Sequence, residues 1–191
     1  EGRDAIMDAA AFLAALEAFG TELAVGEPHP VLGHGSLHAG TIQGGSAPSV
    51  YPEACTLIIE RRTLPGEGGD TVRRELEALL DVVEEERPGL RAEVRIGLVR
   101  PGTEVPESHA VVEGLLGALE AEGEPRAVEG MTAWVDAALL NEAGIPAVCF
   151  GPGSIAQAHS ADEWVDVDEI RRATRTLTRF SRAFLSDAQL R

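Results

Sequence analysis

Apolar residues recur at helical spacing in five stretches of the chain. This pattern predicts helices that span Asp4 to Phe19, Thr71 to Glu85, His109 to Glu122, Ala133 to Ala143 and Val167 to Leu185. Gly20 follows the first stretch and is expected to end its helix. Asp136 lies near the start of the fourth helix, where its carboxylate is expected to stabilise the N-terminus.

Apolar and polar residues alternate in the segments between these helices, as they do in half-buried strands. The predicted strands are Val31 to Ile42, Val50 to Arg61 and Arg91 to Val99 in the first half, with a short one near Ala127-Val128 and a buried one from Ile145 to Phe150 in the second. The last of these strands runs directly into a Gly-Pro-Gly turn. At such a carboxyl edge, open α/β sheets bind their ligands.

The order of these elements predicts two domains. Residues 1–100 read helix, strand, strand, helix, strand, which is a ferredoxin-like α+β sandwich without its first strand. Pro101-Gly102 and Pro106 form a boundary. Residues 101–191 read as α/β, but with too few strands for a complete sheet. We therefore expect a partial α+β domain followed by a partial α/β domain.

Composition and charge narrow the classes of function. The net charge of −16 argues against a nucleic-acid partner, because phosphate binding needs an excess of Lys and Arg. No apolar run approaches the ~20 residues of a membrane span, and no signal peptide opens the chain. Cys55 and Cys149 lie in apolar runs and are expected to be buried free thiols in a reducing cytoplasm, with a disulfide as the alternative. Because the sequence starts at Glu1, we expect a truncated or cleaved N-terminus.

The residues after the last predicted strand are the first candidates for chemistry. His159 follows the turn Gly151-Pro152-Gly153 and precedes Asp162 and Glu163. A neutral imidazole in this setting can bind a metal or act as a base, but an exposed loop histidine fits the same pattern. No HExxH or CxxC motif completes a metal site, so the residues alone leave these alternatives open.

Arg61-Arg62 ends the second predicted strand and is the other candidate. A guanidinium presents a planar fork that can hold a carboxylate through two hydrogen bonds. The alternative is a surface strand end that pairs with Glu60 or Glu67. The pattern alone favours that alternative.

Three stretches, read together, resemble one known family. They are GTIQGGSAPSVYPEACTLIIERRTLPGE, MTAWVDAALLNEAGIPAVCFGPG and AHSADEWV. Their order and spacing resemble the co-catalytic zinc metallopeptidases that include acetylornithine deacetylase, succinyl-diaminopimelate desuccinylase, aminoacylase and glutamate carboxypeptidase. The resemblance covers nearly the whole chain. It implies that residues 1–100 are the lid and dimerisation domain, lacking its first strand, and that residues 101–191 are the C-terminal part of the catalytic domain.

The resemblance also assigns roles to individual residues. His159 matches the last metal ligand of the family, and Arg62 matches the lid arginine that holds the carboxylate of the substrate. Gly151, Pro152 and Gly153 match the loop that borders the substrate. Ser49 matches a substrate-contacting position that is usually Asn. His38 likewise falls where Asn is frequent, so both positions leave the polar contacts with the substrate open.

The implied activity is hydrolysis of the amide bond of N-acyl amino acids or short peptides with a free carboxylate. The family binds two zinc ions per full-length subunit, with cobalt or manganese as alternatives, and forms homodimers through the lid. The resemblance places the remaining metal ligands and the general-base Glu upstream of Glu1, so we expect no catalytic residue in this chain and no activity from it alone. The alternative is a non-catalytic dimerising or ligand-binding remnant of the family.

Overall fold

The computed structural model describes residues 2–188 and divides into two compact units, Glu1–Gly102 and Thr103–Arg191. Within the described residues, the first unit contains two helices and a hairpin, and the second contains three helices and a 3-10 turn. In chain order the elements are α1 (Ala5–Val25), β1 (Ser36–Gly44), β2 (Cys55–Arg62), α2 (Gly69–Glu86), α3 (Ala110–Ala121), α4 (Ala137–Glu142), the 3-10 turn (Ile155–Gln157) and α5 (Val167–Ala188).

In the first unit, α1 and α2 cover one face of the β1–β2 hairpin. Phe12 and Leu16 of α1 and Leu76 and Val83 of α2 are the buried centre of this core. The half-buried side chains around them include Leu37, Leu57 and Ile59 from the hairpin. At the start of α1, the Asp4 carboxylate accepts hydrogen bonds from the Ile6 and Met7 backbone N–H groups, which is the usual N-cap arrangement.

The hairpin contains a one-residue irregularity. Leu37 pairs with Arg61 and Ala39 with Ile59, but the next paired residue of β1 is Thr41, which lies opposite Ile58. Gly40 is therefore an extra residue, and it forms a β-bulge. Beyond it the alternation of β1 changes phase, because Leu37 contacts Gly20 of α1 while Gly44, an even position, contacts Ile6 of the same helix.

In the second unit, α3 packs against α5. Val112 and Leu116 of α3 and Ala173 and Thr176 of α5 are buried. The helices approach closely at Gly114, where a Cβ atom would lie 3.1 Å from the Phe180 ring. Within residues 2–188 no helix combines the length and apolar character that crossing a bilayer requires.

Two helix predictions need correction. The first helix does not end at Gly20 but continues to Val25. Gly20 lies inside α1, where Leu37 Cδ1 is 3.7 Å from the position of a Cβ atom, an ordinary van der Waals distance, so this glycine does not terminate the helix. The helix predicted from Ala133 begins only at Ala137, with Asp136 at its N-cap position but making no capping hydrogen bond.

Three strand predictions are wrong as well. The stretches 91–99, 127–128 and 145–150 form no ladder in the part of the chain that the structure describes. A strand exists only through hydrogen bonds to a neighbour, and none of the described segments pairs with them. The expected burial of the two cysteines is wrong as well, since Cys55 is only half-buried and Cys149 is exposed; both thiols are free.

Candidate functional site

The segment before the Gly-Pro-Gly turn is held by one side chain rather than by a sheet. The Asn141 amide, at the end of α4, accepts a hydrogen bond from the Ala147 N–H at 2.7 Å and donates one to the Ala147 carbonyl at 3.0 Å. This pair replaces both hydrogen bonds that a neighbouring strand would make with Ala147. The sequence analysis did not identify Asn141. The signal available in the sequence was a polar residue that lies within the apolar run LLNEAG and does not occupy a helix-capping position.

The glycine turn is tied to the start of α5. The Gly153 N–H donates to the Glu169 carboxylate at 2.8 Å. Gly153 has a φ of 89°, a conformation that favours glycine, and Val165 lies beside it. Gly151, by contrast, has open space on its Cβ side. The turn is therefore fixed at one end and open at the other, where a ligand can approach the backbone closely.

His159 lies two residues beyond the 3-10 turn. Its φ of 65° makes it the sole non-glycine residue with positive φ among residues 2–188. Its backbone N–H donates to the Glu163 carboxylate at 3.3 Å, and its side chain is exposed. A non-glycine residue in this region costs free energy and is often associated with functional sites. Glu163 thus helps to hold an unusual backbone conformation that projects an imidazole.

The metal-binding capacity of the described residues is limited. No group of three or more His, Cys, Asp or Glu side chains within residues 2–188 is arranged to hold a metal ion. A catalytic zinc usually needs three protein ligands. His159 is one donor, so these residues do not fit a complete zinc site, and two zinc ions cannot be placed in them.

Arg61 and Arg62 have different environments although they are neighbours. The Arg61 side chain is 4% exposed and pairs with Glu75 at 3.0 Å and with Glu67 at 3.3 Å. The Arg62 side chain is 58% exposed and pairs with Glu60 at 3.0 Å. Because successive residues of a strand point to opposite faces, Arg61 joins the helix side while Arg62 lies on the open face. Arg62 is therefore the guanidinium available to a ligand.

Ser49 lies far from Arg62 in the hairpin. Arg62 is opposite Ser36, at one end of the β1–β2 ladder, while Ser49 lies in the loop that joins Gly44 to Cys55 at the other end. Eight paired residues of strand separate the two ends, which corresponds to about 20 Å. His38 is paired with Glu60 and shares the open face with Arg62. The structure thus brings His38, Glu60 and Arg62 together and keeps Ser49 apart.

Two carboxyl groups with shifted pKa values lie away from these residues. The hydrogen bond from Arg3, aided by Arg87 at 2.6 Å, holds the pKa of Asp8 below its usual range although burial opposes this effect. Arg179 at 2.7 Å, together with Arg175, likewise lowers the pKa of Glu122. Both are ion pairs that join helices to neighbouring segments, and neither indicates a proton-transfer group.

Comparisons with known proteins give a consistent result. Residues 2–183 match the model of the peptidase family M20/M25/M40. An acetylornithine deacetylase from Myxococcus xanthus is 32% identical over 144 residues, a match that covers 75% of this chain and 37% of the relative. An N-formyl-4-amino-5-aminomethyl-2-methylpyrimidine deformylase from Halalkalibacterium halodurans is 28% identical over 162 residues, which cover 78% of this chain and 38% of the relative. The chain thus spans little more than a third of these relatives.

A solved structure supports the fold. The aminopeptidase PepT from Bacillus cereus superposes with a TM-score of 0.65 at 20% identity, over 93% of this chain and 44% of that protein. At this identity the likeness concerns the fold alone. It confirms the predicted class, a mixed helix-and-sheet fold that makes up a part of a larger architecture.

Proposed function

Because the chain belongs to the peptidase family M20/M25/M40, we propose that it is the C-terminal portion of a metal-dependent hydrolase. The proposed reaction is cleavage of the amide bond in N-acyl amino acids or short peptides that carry a free carboxylate. The observation that carries this proposal is the family match over residues 2–183, and the 32% identity to an acetylornithine deacetylase supports the choice of substrate.

Arg62 is proposed to hold the carboxylate of the substrate. Its guanidinium lies on the open face of the hairpin, and its partner Glu60 is itself 52% exposed. An exposed ion pair contributes little free energy, so a substrate carboxylate can replace Glu60 at small cost. A bidentate hydrogen bond between guanidinium and carboxylate would then orient the substrate.

The turn at Gly151, Pro152 and Gly153 is proposed to border the substrate. Its open side at Gly151 permits close backbone approach, and the bond from Gly153 to Glu169 fixes its other end. Ser49 is proposed as a polar contact of the substrate as well. Ser49 lies at the far end of the hairpin from Arg62. It would therefore contact a different part of the substrate from the carboxylate that Arg62 holds, or a different part of the assembly.

His159 is proposed to supply one metal ligand and no more. The family requires further ligands and a general base, which we place in the part of the relatives that this chain does not span. Residues 1–100 are proposed to act as lid and dimerisation domain, and residues 101–191 as the end of the catalytic domain. The two free thiols are consistent with a reducing, cytoplasmic setting.

The test joins this chain to the missing part of a relative. Residues 1–191 are fused to the portion of the Myxococcus xanthus acetylornithine deacetylase that the match leaves uncovered, and hydrolysis of N-acetylornithine and other N-acetyl amino acids is measured with zinc present. We expect activity from the fusion and none from the chain alone. In the fusion, Arg62→Ala should raise KM about 10- to 100-fold, whereas the exposed Arg91→Ala should leave it unchanged.

The second candidate function is a non-catalytic dimerising or ligand-binding remnant. The observation that favours it is Arg62, whose exposed guanidinium on the open face can bind a carboxylate without a metal ion. In that case the fusion would fold without hydrolysing any N-acetyl amino acid, while the chain alone would still bind N-acetylornithine in calorimetry in an Arg62-dependent manner. Sedimentation of the chain alone would report the dimer.

A further inference from the structure

Basic residues are concentrated on α5, although the chain as a whole carries a net charge of −16. Five arginines of this helix lie between positions 171 and 182. Three of them, Arg175, Arg179 and Arg182, line an open groove of about 480 Å³ together with Glu122, which follows α3. We call this groove the arginine groove. It lies within the second unit, and none of the residues proposed above to bind substrate or metal lines it.

Glu122 holds two of these arginines side by side. Its carboxylate accepts a hydrogen bond from Arg179 Nε at 2.7 Å and one from Arg175 Nε at 3.2 Å. The Glu122 side chain is only 15% exposed, whereas both arginine side chains are more than half exposed. The carboxylate thus fixes the inner edge of each guanidinium, and such preorganisation reduces the conformational cost of binding a ligand.

The outer edges of these two guanidinium groups are free for a ligand. Among the residues that the structure describes, none accepts a hydrogen bond from the terminal nitrogens of Arg175 or Arg179. A guanidinium donates from these nitrogens in a planar fork, which matches the oxygens of a carboxylate or a phosphate. The arginine groove therefore presents two oriented forks toward solvent.

The charges of the groove distinguish between these two kinds of anion. Arg182 is exposed, and its side chain forms no ion pair with a described residue. The groove therefore contains three guanidinium groups against the single carboxylate of Glu122, while the other two arginines of α5 are each paired with a carboxylate. The excess of two positive charges matches a phosphate monoester, which carries about −1.5 to −2 at pH 7, better than a carboxylate.

The arginine groove lies away from the apolar side of α5. Ile170, Leu177 and Phe184 are partly exposed and recur every seven residues, so they lie on one side of the helix. At 3.6 residues per turn, the three groove arginines are about 140–160° around the helix from Leu177. A molecule that covers the apolar side of α5 would therefore leave the arginine groove open.

We propose that the arginine groove binds the phosphate group of a small phosphate monoester. The forks of Arg175 and Arg179 donate to its oxygens, and Arg182 supplies the further positive charge. Along the helix axis the three arginines span only about 10 Å, which suits one compact dianion. A nucleic acid is a poor alternative, because the net charge of −16 repels an extended polyanion.

The probe is glycerol 3-phosphate, titrated into the full 191-residue chain at about 0.15 M sodium chloride and followed by NMR of the arginine Nε–H signals. We expect a Kd of about 1 mM or lower, with the largest shifts at Arg175 and Arg179. Glycerol and acetate serve as controls and should bind at least ~10-fold more weakly. Acetate binding as tight as that of glycerol 3-phosphate, or shifts spread evenly over all arginines, would overturn the proposal.

Variants of α5 test the assigned forks. Arg179→Ala should weaken binding at least ~10-fold, and Arg179→Lys, which keeps the charge but not the fork, at least ~3-fold. Arg171→Ala is the matched control, because it removes an arginine of the same helix outside the groove and should stay within about twofold of the parent chain.

Circular dichroism verifies that these variants fold. If Arg179→Ala unfolds, Arg182→Ala decides, because it breaks no ion pair among the described residues and should weaken binding at least ~3-fold. Unchanged affinity in either Arg179→Lys or Arg182→Ala would show that the groove does not recognise phosphate through these side chains.

Discussion

At the residue scale, neighbouring side chains with the same chemistry have different tasks. Arg61 is buried among carboxylates and Arg62 is exposed, although the sequence presents them as one pair. Because side chains alternate along a strand, Arg61 and Arg62 point to opposite faces of the hairpin. Which of these faces is buried depends on which side the helices cover. That information is tertiary, so the pattern could predict an arginine pair at this strand end but could not say which environment each residue has.

Replacement of these two arginines should separate stability from ligand binding. Arg61→Ala leaves Glu75 and Glu67 without their shared cation in a largely buried setting and should lower the free energy of unfolding by about 3 kcal/mol. Arg62→Ala removes only an exposed pair and should change it by less than about 0.5 kcal/mol. Urea unfolding of both variants measures this difference, and equal effects would contradict the assigned environments.

Asp8 should make the first unit sensitive to acid. Its pKa is lowered in the folded chain, so its contribution to stability is present above the unfolded value of about 3.9 and is lost as the pH falls through the lower folded value. Asp8→Asn should lower the free energy of unfolding by about 1–3 kcal/mol at pH 7. The difference in this free energy between the variant and the parent chain should shrink toward pH 2. Urea midpoints between pH 2 and 7 test this.

The control for Asp8 is Glu84→Gln, an exposed substitution on α2. It should shift the unfolding free energy by less than about 0.5 kcal/mol at every pH. If the free energy of unfolding of Asp8→Asn changes with pH in parallel with that of the parent chain, the ion pair of Asp8 with Arg3 and Arg87 is not the source of the pH dependence.

Metal removal should have no effect on the chain alone. Because no group of three or more donor side chains in the described residues is arranged to hold a metal ion, the melting temperature should be the same in EDTA and in a modest excess of zinc. A zinc-dependent increase that disappears in His159→Ala would reveal a site assembled from more than one chain.

At the element scale, helices were predictable and most strands were not. The apolar periodicity of α2, α3 and α5 placed each within a few residues of its observed ends, because a helix makes its hydrogen bonds internally. Residues 91–99 and 145–150 have strand-like sequences, but a strand needs a neighbour. The same limit applies to the candidate site, because the sequence singled out His159 and the glycine turn but gave no indication that Asn141 supports Ala147 in place of a neighbouring strand.

Two glycines on α3 give a test of helix packing. Gly117 has nothing within 4 Å of a Cβ position, while a Cβ at Gly114 would lie 3.1 Å from the Phe180 ring. Gly117→Ala should therefore stabilise the chain by about 0.5–1 kcal/mol. At Gly114 the same helical gain is offset by displacement of Phe180, so Gly114→Ala should be less stable than Gly117→Ala. Thermal unfolding of the two variants decides.

At the scale of the whole molecule, charge and apolar exposure oppose each other. The net charge of −16 keeps copies apart, yet large apolar side chains such as Ile145, Ile155 and Trp164 are exposed in the second unit. The resemblance predicted a part of a larger architecture, and the match to little more than a third of each relative agrees with it. Composition alone could not have shown this, since 44% hydrophobic residues suit a complete domain equally well.

Salt should therefore promote self-association. At 0.5 M salt the repulsion between copies is screened over a few ångströms, while the exposed apolar surface is unaffected. Sedimentation velocity should show a larger average mass at 0.5 M than at 0.05 M sodium chloride. A monodisperse monomer at both concentrations would argue that the apolar surface of the second unit is too dispersed to associate.

The bulge at Gly40 has a consequence for insertions and deletions. Ala39 lies opposite Ile59 before the bulge and Ile42 lies opposite Leu57 after it, and both partners pack against the core, so the inner face of β1 falls at odd positions before Gly40 and at even positions after it. Removal of Gly40 would leave Leu37, Ala39, Ile42 and Gly44 in strict two-residue alternation and in unbroken register with β2, whereas one residue inserted elsewhere in the strand would turn over the part beyond it. The chain shortened by this one residue should therefore still form the hairpin, so Gly40 marks a place where the strand tolerates a change of length.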